Sequence, residues 1–112
     1  MIYGYFFKNP NGDAVKSELM AYAKRRELTF EKMFEDEESN KTHWERREIA
    51  SMIREMGKGD EIVIYEAADM ARSTSQVLEM LELIAKHEVI LHLVKYGEIF
   101  TGEKTIDTRG FI

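Results

Sequence analysis

The feature that most restricts this chain is a regular exchange between two kinds of apolar pattern. Residues 1–7 (MIYGYFF), 61–66 (EIVIYE) and 89–94 (VILHLV) are short, nearly continuous apolar runs, rich in β-branched and aromatic side chains. Runs of that length suit strands covered on both faces. Between them, apolar residues recur at helical spacing: Val15, Leu19, Tyr22 and Ala23, then Ile49, Met52, Ile53 and Met56, then Val77, Met80, Leu81 and Ile84. Residues 28–34 (LTFEKMF) alternate apolar with polar, which predicts a further strand exposed on one face. The order is β-α-β-α-β-α-β, followed by a tail over 95–112 that has room for a short hairpin. Such alternation predicts an α/β fold with three α/β/α layers and a mainly parallel sheet of four or five strands. A chain of 112 residues holds one such core, so a single domain over 1–112 is expected.

Local signals place the boundaries. Asn9-Pro10-Asn11-Gly12 is the strongest turn signal and contains the one proline. A helix is expected from about Asp13, with Lys24-Arg25-Arg26 at the negative end of its dipole. Residues 35–43 (EDEESNKTH) read as a charged loop. Thr42 with Glu45, and Ser73 with Gln76, have capping-box spacing before the second and third helices. Gly57-Lys58-Gly59 closes the second helix. In a parallel sheet, ligand and catalytic groups gather in the loops after the strands, here about 8–13, 35–43, 66–72 and 95–103.

Several chemistries are disfavoured. There is no cysteine, which excludes disulfides and thiolate metal sites. His43, His87 and His92 include no i, i+4 pair, and His92 falls inside a predicted strand, where a structural or surface role is expected. Glu35-Asp36-Glu37-Glu38 lacks the glycine and spacing of a calcium loop and reads as solvated. Gly57-Lys58-Gly59 follows a helix and precedes a strand, the wrong end for holding phosphate. None of Ser17, Ser39, Ser51, Ser73 and Ser75 sits in a G-x-S-x-G elbow. No metal and no cofactor is therefore expected. No apolar run approaches the roughly 18 residues of a membrane span, and the N-terminus lacks a signal-peptide pattern, so a cytoplasmic protein with no membrane partner is expected. A net charge of −5 gives no support to autonomous DNA binding, which rests on cations neutralising phosphates.

The loop residues, taken in order, resemble one family. The opening Ile2-Tyr3-Gly4-Tyr5-Phe6-Phe7-Lys8-Asn9 is similar to I-x-G-Y-x-R-V-S, the first strand of serine recombinases of the resolvase/invertase kind. The Gly-Tyr pair ending in Tyr5 is kept. Phe7 falls where that family has arginine, and Asn9 where it has its nucleophilic serine. The acidic stretch with Asp36 and Ser39, the pair Arg46 and Ile49, Gly59-Asp60 before a strand, and Arg72-Ser73 before a helix also keep family order. Ala68-Asp69 replaces the family's Asp-Arg, so Asp69 stands at a second arginine position. Val94-Lys95-Tyr96-Gly97 and Thr101-Gly102-Glu103 resemble the following strand and turn.

The resemblance implies a resolvase-like fold over nearly the whole chain. In that family the serine attacks a DNA phosphate and becomes joined to the 5′ end. An asparagine amide is no useful nucleophile, and losing cations at Phe7 and Asp69 removes charge stabilisation for the phosphate. The retained positions Tyr5, Asp36, Ser39, Arg46 and Arg72 leave two meanings for the arginines: structural pairing near helix ends, or a residual anion spot. The expected function is a catalytically inactive serine recombinase-like domain, a regulatory or protein-interaction module linked to DNA recombination or gene regulation. It would pair with itself, a recombinase or a regulator, and touch DNA only weakly or indirectly. The C-terminal DNA-binding domain of active relatives is expected to be absent from this chain. One alternative is an active recombinase domain with an unconventional nucleophile such as Ser39. Another is an unrelated small α/β domain that binds an anion at the strand ends.

Overall fold

The computed structural model describes residues 1–8, 11–37, 48–66, 69, 73–101 and 105–107. Its elements are β1 (Ile2–Lys8), α1 (Gly12–Arg25), β2 (Lys32–Glu37), α2 (Glu48–Glu55), β3 (Glu61–Ile64), α3 (Thr74–Lys86), β4 (Ile90–Leu93), a 3₁₀ turn (Val94–Tyr96), β5 (Glu98–Phe100) and β6 (Thr105–Asp107). They make one six-stranded sheet in the order β2-β1-β3-β4-β5-β6. β1 pairs in parallel with β2 and β3, and β3 in parallel with β4. β5 and β6 add on antiparallel. The predicted α/β architecture is present, and the tail hairpin carries the sheet beyond its four parallel strands.

Strand periodicity divides the core into two layers. Tyr5, Phe7, Ile62, Ile64 and Leu91 face α2 and α3, where they meet Ile49, Met52, Ile53, Met80 and Ile84. Phe6 and Val63 point the other way and meet Leu19 and Tyr22 of α1. The apolar stripes read from the sequence are thus the faces that the helices bury. Fully burying an aliphatic side chain is worth about 1.5–3 kcal/mol, and eleven large side chains among the described residues are essentially solvent-free.

α1 and α3 stop by the same device. Glu27 (φ 58°) and Glu88 (φ 56°) occupy the left-handed region. The next amide then reaches back to the helix: Leu28 N donates to Ala23 O at 2.8 Å, and Val89 N to Ile84 O at 3.0 Å. This is a Schellman-type closure with glutamate where glycine is usual. Ser73 caps α3 as predicted, with the Gln76 amide donating to Ser73 Oγ at 3.2 Å, but the buried Gln76 Oε1 has no hydrogen-bond partner among the described residues and the reciprocal half of the box is not seen. The Thr42–Glu45 box lies outside the described residues. After α2, the Gly57 amide and the N-terminal ammonium both donate to the Asp60 carboxylate, at 2.9 and 3.0 Å. These donors hold Asp60 below the usual carboxylate range, the Gly57 bond contributing most.

The second strand is the main departure from the sequence reading. It spans Lys32–Glu37, not 28–34, so part of the expected acidic loop is strand. Leu28 and Phe30 do pack, but beside α1 with Met33 and before strand pairing begins. The closure of α1 uses Leu28, and only at Glu31, whose amide donates to Ile2 O at 2.7 Å, does the chain join β1.

Candidate functional site

The chain leaves β1 for β2 on one side and returns past it to β3 on the other, so the strand order reverses between β1 and β3. In parallel sheets the crevice beyond the strand ends at that reversal is the natural ligand position. A cavity of about 270 Å³ opens there, lined by Phe7, Asn11, Val15, Tyr65, Glu66 and Asp69. Phe7 comes from the end of β1, Asn11 and Val15 from the start of α1, and Tyr65 and Glu66 from the exit of β3. The Asp69 amide donates to Glu66 O at 3.0 Å.

The lining is acidic and apolar. Phe7 is buried and stands edge-on to Tyr5, with ring centroids 5.8 Å apart. The Tyr5 hydroxyl, on a fully buried ring, donates to Asp36 Oδ2 at 2.9 Å. Lys95 Nζ donates to Glu66 Oε2 at 2.7 Å, and its amide to Tyr65 O at 2.8 Å. That hydrogen bond and the charge of Glu66 raise Lys95 above its ordinary value. The nearby ammonium is therefore occupied by a carboxylate of the cavity wall.

Of the residues singled out from the sequence, Tyr5 and Asp36 are in direct contact, and Phe7 and Asp69 line the same cavity. Asn9, Ser39, Arg46, Ala68 and Arg72 lie outside the described residues. Tyr65, Glu66 and Asn11 carry no motif of their own in the sequence. Their signal was positional: each falls at or beside the loops 8–13 and 66–72 that follow β1 and β3. Among the described residues, no group of three or more histidine, aspartate or glutamate side chains could hold a metal ion. Among those residues, too, no helix is long and apolar enough to cross a membrane.

Phosphoryl transfer needs cations aimed at the developing charge. Among the described lining residues there is no arginine or lysine, while Glu66 and Asp69 contribute carboxylates. Phe7 places an aromatic ring in the wall.

Comparison with known proteins agrees with the fold. The structure is similar to a resolvase family site-specific recombinase from Streptococcus pneumoniae, with a TM-score of 0.74 and 19% identity over 92% of this chain and 77% of that one. It is also similar to the N-terminal catalytic domain of TP901-1 integrase, with a TM-score of 0.71 and 14% identity over 88% of this chain and 79% of that one. No curated protein matches the chain in sequence. Residues 11–109 match the family described as "Resolvase, N terminal domain", and the chain belongs to that family as a serine recombinase-like domain.

Proposed function

We propose that this domain does not cut DNA and instead serves DNA recombination or gene regulation through protein contacts, as a catalytically inactive relative of the recombinases. The observation that carries this reading is the cavity at the β1–β3 crevice. Phe7 and Asp69, which the family pattern would make arginines, line it together with Glu66. Glu66 already engages the Lys95 ammonium, so a phosphate entering the cavity meets carboxylates and, among the described lining residues, no arginine or lysine free to receive it. Removing even one preorganised donor from such a site costs about 10²–10³ in rate. Asn9 at the serine position compounds the loss. The partner is a second copy of this chain, a recombinase or a regulator, and DNA is met weakly or through that partner.

A suicide DNA substrate, nicked so that a cleaved end diffuses away, tests the proposal. Denaturing gels should show no protein–DNA adduct, and an adduct that survives denaturation overturns it. Asn9→Ser should stay silent as well, because Phe7 and Asp69 still deny the phosphate its cations. Fluorescence anisotropy with duplex DNA should show weak, salt-sensitive binding at most.

A further inference from the structure

On the α1 side of the sheet, apart from the cavity, three polar side chains form a chain. Tyr22 Oη lies 2.6 Å from His92 Nδ1. His92 Nε2 lies 2.6 Å from Glu61 Oε1. The two rings meet edge-on with centroids 5.5 Å apart. Tyr22 is 5% exposed and His92 3%, whereas the Glu61 side chain keeps 24% of its surface and connects the chain to water.

The contacts fix the tautomer. A carboxylate can only accept, so Nε2 carries the ring proton and donates it to Glu61, and Nδ1 accepts from the Tyr22 hydroxyl. With His92 neutral, both ring nitrogens are satisfied. A second proton would go to Nδ1 and make both nitrogens donors. The Tyr22 hydroxyl would then have to turn and accept, and its own hydrogen would lose the acceptor it has at Nδ1. A buried donor without an acceptor costs about 1–3 kcal/mol.

The surrounding charges divide. Glu61 of β3 favours the charged ring. Arg26 of α1 opposes it, and Arg25 and Arg26 both lie over the Tyr22 ring, 6.0 and 5.4 Å from its centroid. The β5 residue paired with His92 is Ile99, which is apolar. Burial is the largest influence and holds His92 below its ordinary 6.5, partly offset by the hydrogen bond to Glu61.

We infer that the Tyr22–His92–Glu61 chain is a proton-operated clasp, which holds the last turns of α1 on the sheet near neutral pH and loosens when the His92 ring takes up a proton. The other end of the same helix supplies Asn11 and Val15 to the cavity wall. The inference does not depend on whether the cavity is catalytically silent. Its sign follows from proton linkage. The folded ring binds a proton less readily than the unfolded one, so the clasp's contribution is complete above about pH 6.5. It falls as pH drops toward the lower folded value. One proton limits the change to about tenfold in the opening equilibrium per pH unit.

NMR on the whole chain tests this with two readouts: assigned His92 ring shifts, and amide hydrogen exchange from about pH 7.5 to pH 5. The His92 midpoint should fall below 6.5. Amides over 19–25, corrected for intrinsic rates, should open more on acidification, by up to about tenfold per unit, while β1 and β3 lag behind. His92→Gln should remove that dependence. Should that variant not fold, Glu61→Gln gives a second reading, in which loss of the carboxylate moves the His92 midpoint lower still. A midpoint at or above 6.5, equal acceleration in every element, or an unchanged slope in His92→Gln overturns the clasp.

Discussion

Replacing Gly12 by alanine probes the fit between α1 and the end of β1, where the cavity opens. An ideal Cβ at Gly12 would stand 2.7 Å from the Phe7 carbonyl oxygen, closer than real Cβ atoms come, and 3.8 Å from the Phe6 ring. The oxygen cannot turn aside as a side chain could. It is backbone of a strand held in register by β2, where Phe7 pairs with Asp36, so relief requires strand and helix to separate. Overpacking of this kind costs about 1–3 kcal/mol. Alanine recovers at most about 1 kcal/mol over glycine within a helix, and less in its first turn. Gly12→Ala should therefore lose about 1–2 kcal/mol net. Gly57→Ala is the internal standard, because its Cβ would meet nothing within 4 Å and its φ lies outside the left-handed region. That change should be neutral or gain about 0.4–1 kcal/mol through the unfolded state. Urea denaturation followed by far-UV circular dichroism measures both. The midpoint should fall for Gly12→Ala and hold or rise for Gly57→Ala, with slopes unchanged. A Gly12→Ala protein as stable as Gly57→Ala would refute the close approach of α1 to Phe7.

Three further outcomes can be checked in the same way. Tyr22→Phe leaves His92 Nδ1 buried without its donor and should cost about 1–3 kcal/mol in urea denaturation. Glu88→Gly removes a side chain from the left-handed position that closes α3 and should gain about 0.5–1 kcal/mol, read as a higher thermal midpoint. Asp60→Asn addresses the acid limb. Asp60 is held below its ordinary 3.8, so its contribution is present above about that pH and fades as pH falls through the folded value. The variant should be less stable than the parent at neutral pH, and the gap should narrow as pH falls below about 3.8.

Much of the architecture could be read from the residues because its causes are local. Residues 2–8 of β1, the Ile49–Ile53 stripe of α2 and the Ser73 cap of α3 are each set by periodicity or by a single hydrogen bond. β2 was misplaced because its alternation starts early: Leu28 and Phe30 are apolar for contact with α1, not for strand pairing. Asp36 looked like loop, yet a strand holds it because Tyr5, 31 residues away, supplies its hydrogen bond. The site was legible as an edge and as an aberrant pair, Phe7 and Asp69, but not as a complete lining. Glu66 reads as the last residue of a strand, and its partner Lys95 is 29 positions on, across a connection that no local pattern predicts. His92 is the clearest gap. A histidine within an apolar strand gave a warning, but both of its partners arrive from other elements.

The outermost strand also governs how two copies of this domain can meet. β2 pairs with β1 on one flank and ends in Glu35-Asp36-Glu37. Open strand edges recruit other chains unless something discourages it, and charge along the edge is one such deterrent. A parallel, in-register approach of two copies through β2 would bring their acidic ends into mutual repulsion, felt over roughly 8 Å at physiological ionic strength, whereas a two-fold, antiparallel approach would set each acidic end against the other copy's Lys32. Charge along β2 thus distinguishes the two directions in which the sheet could be extended and disfavours the parallel one.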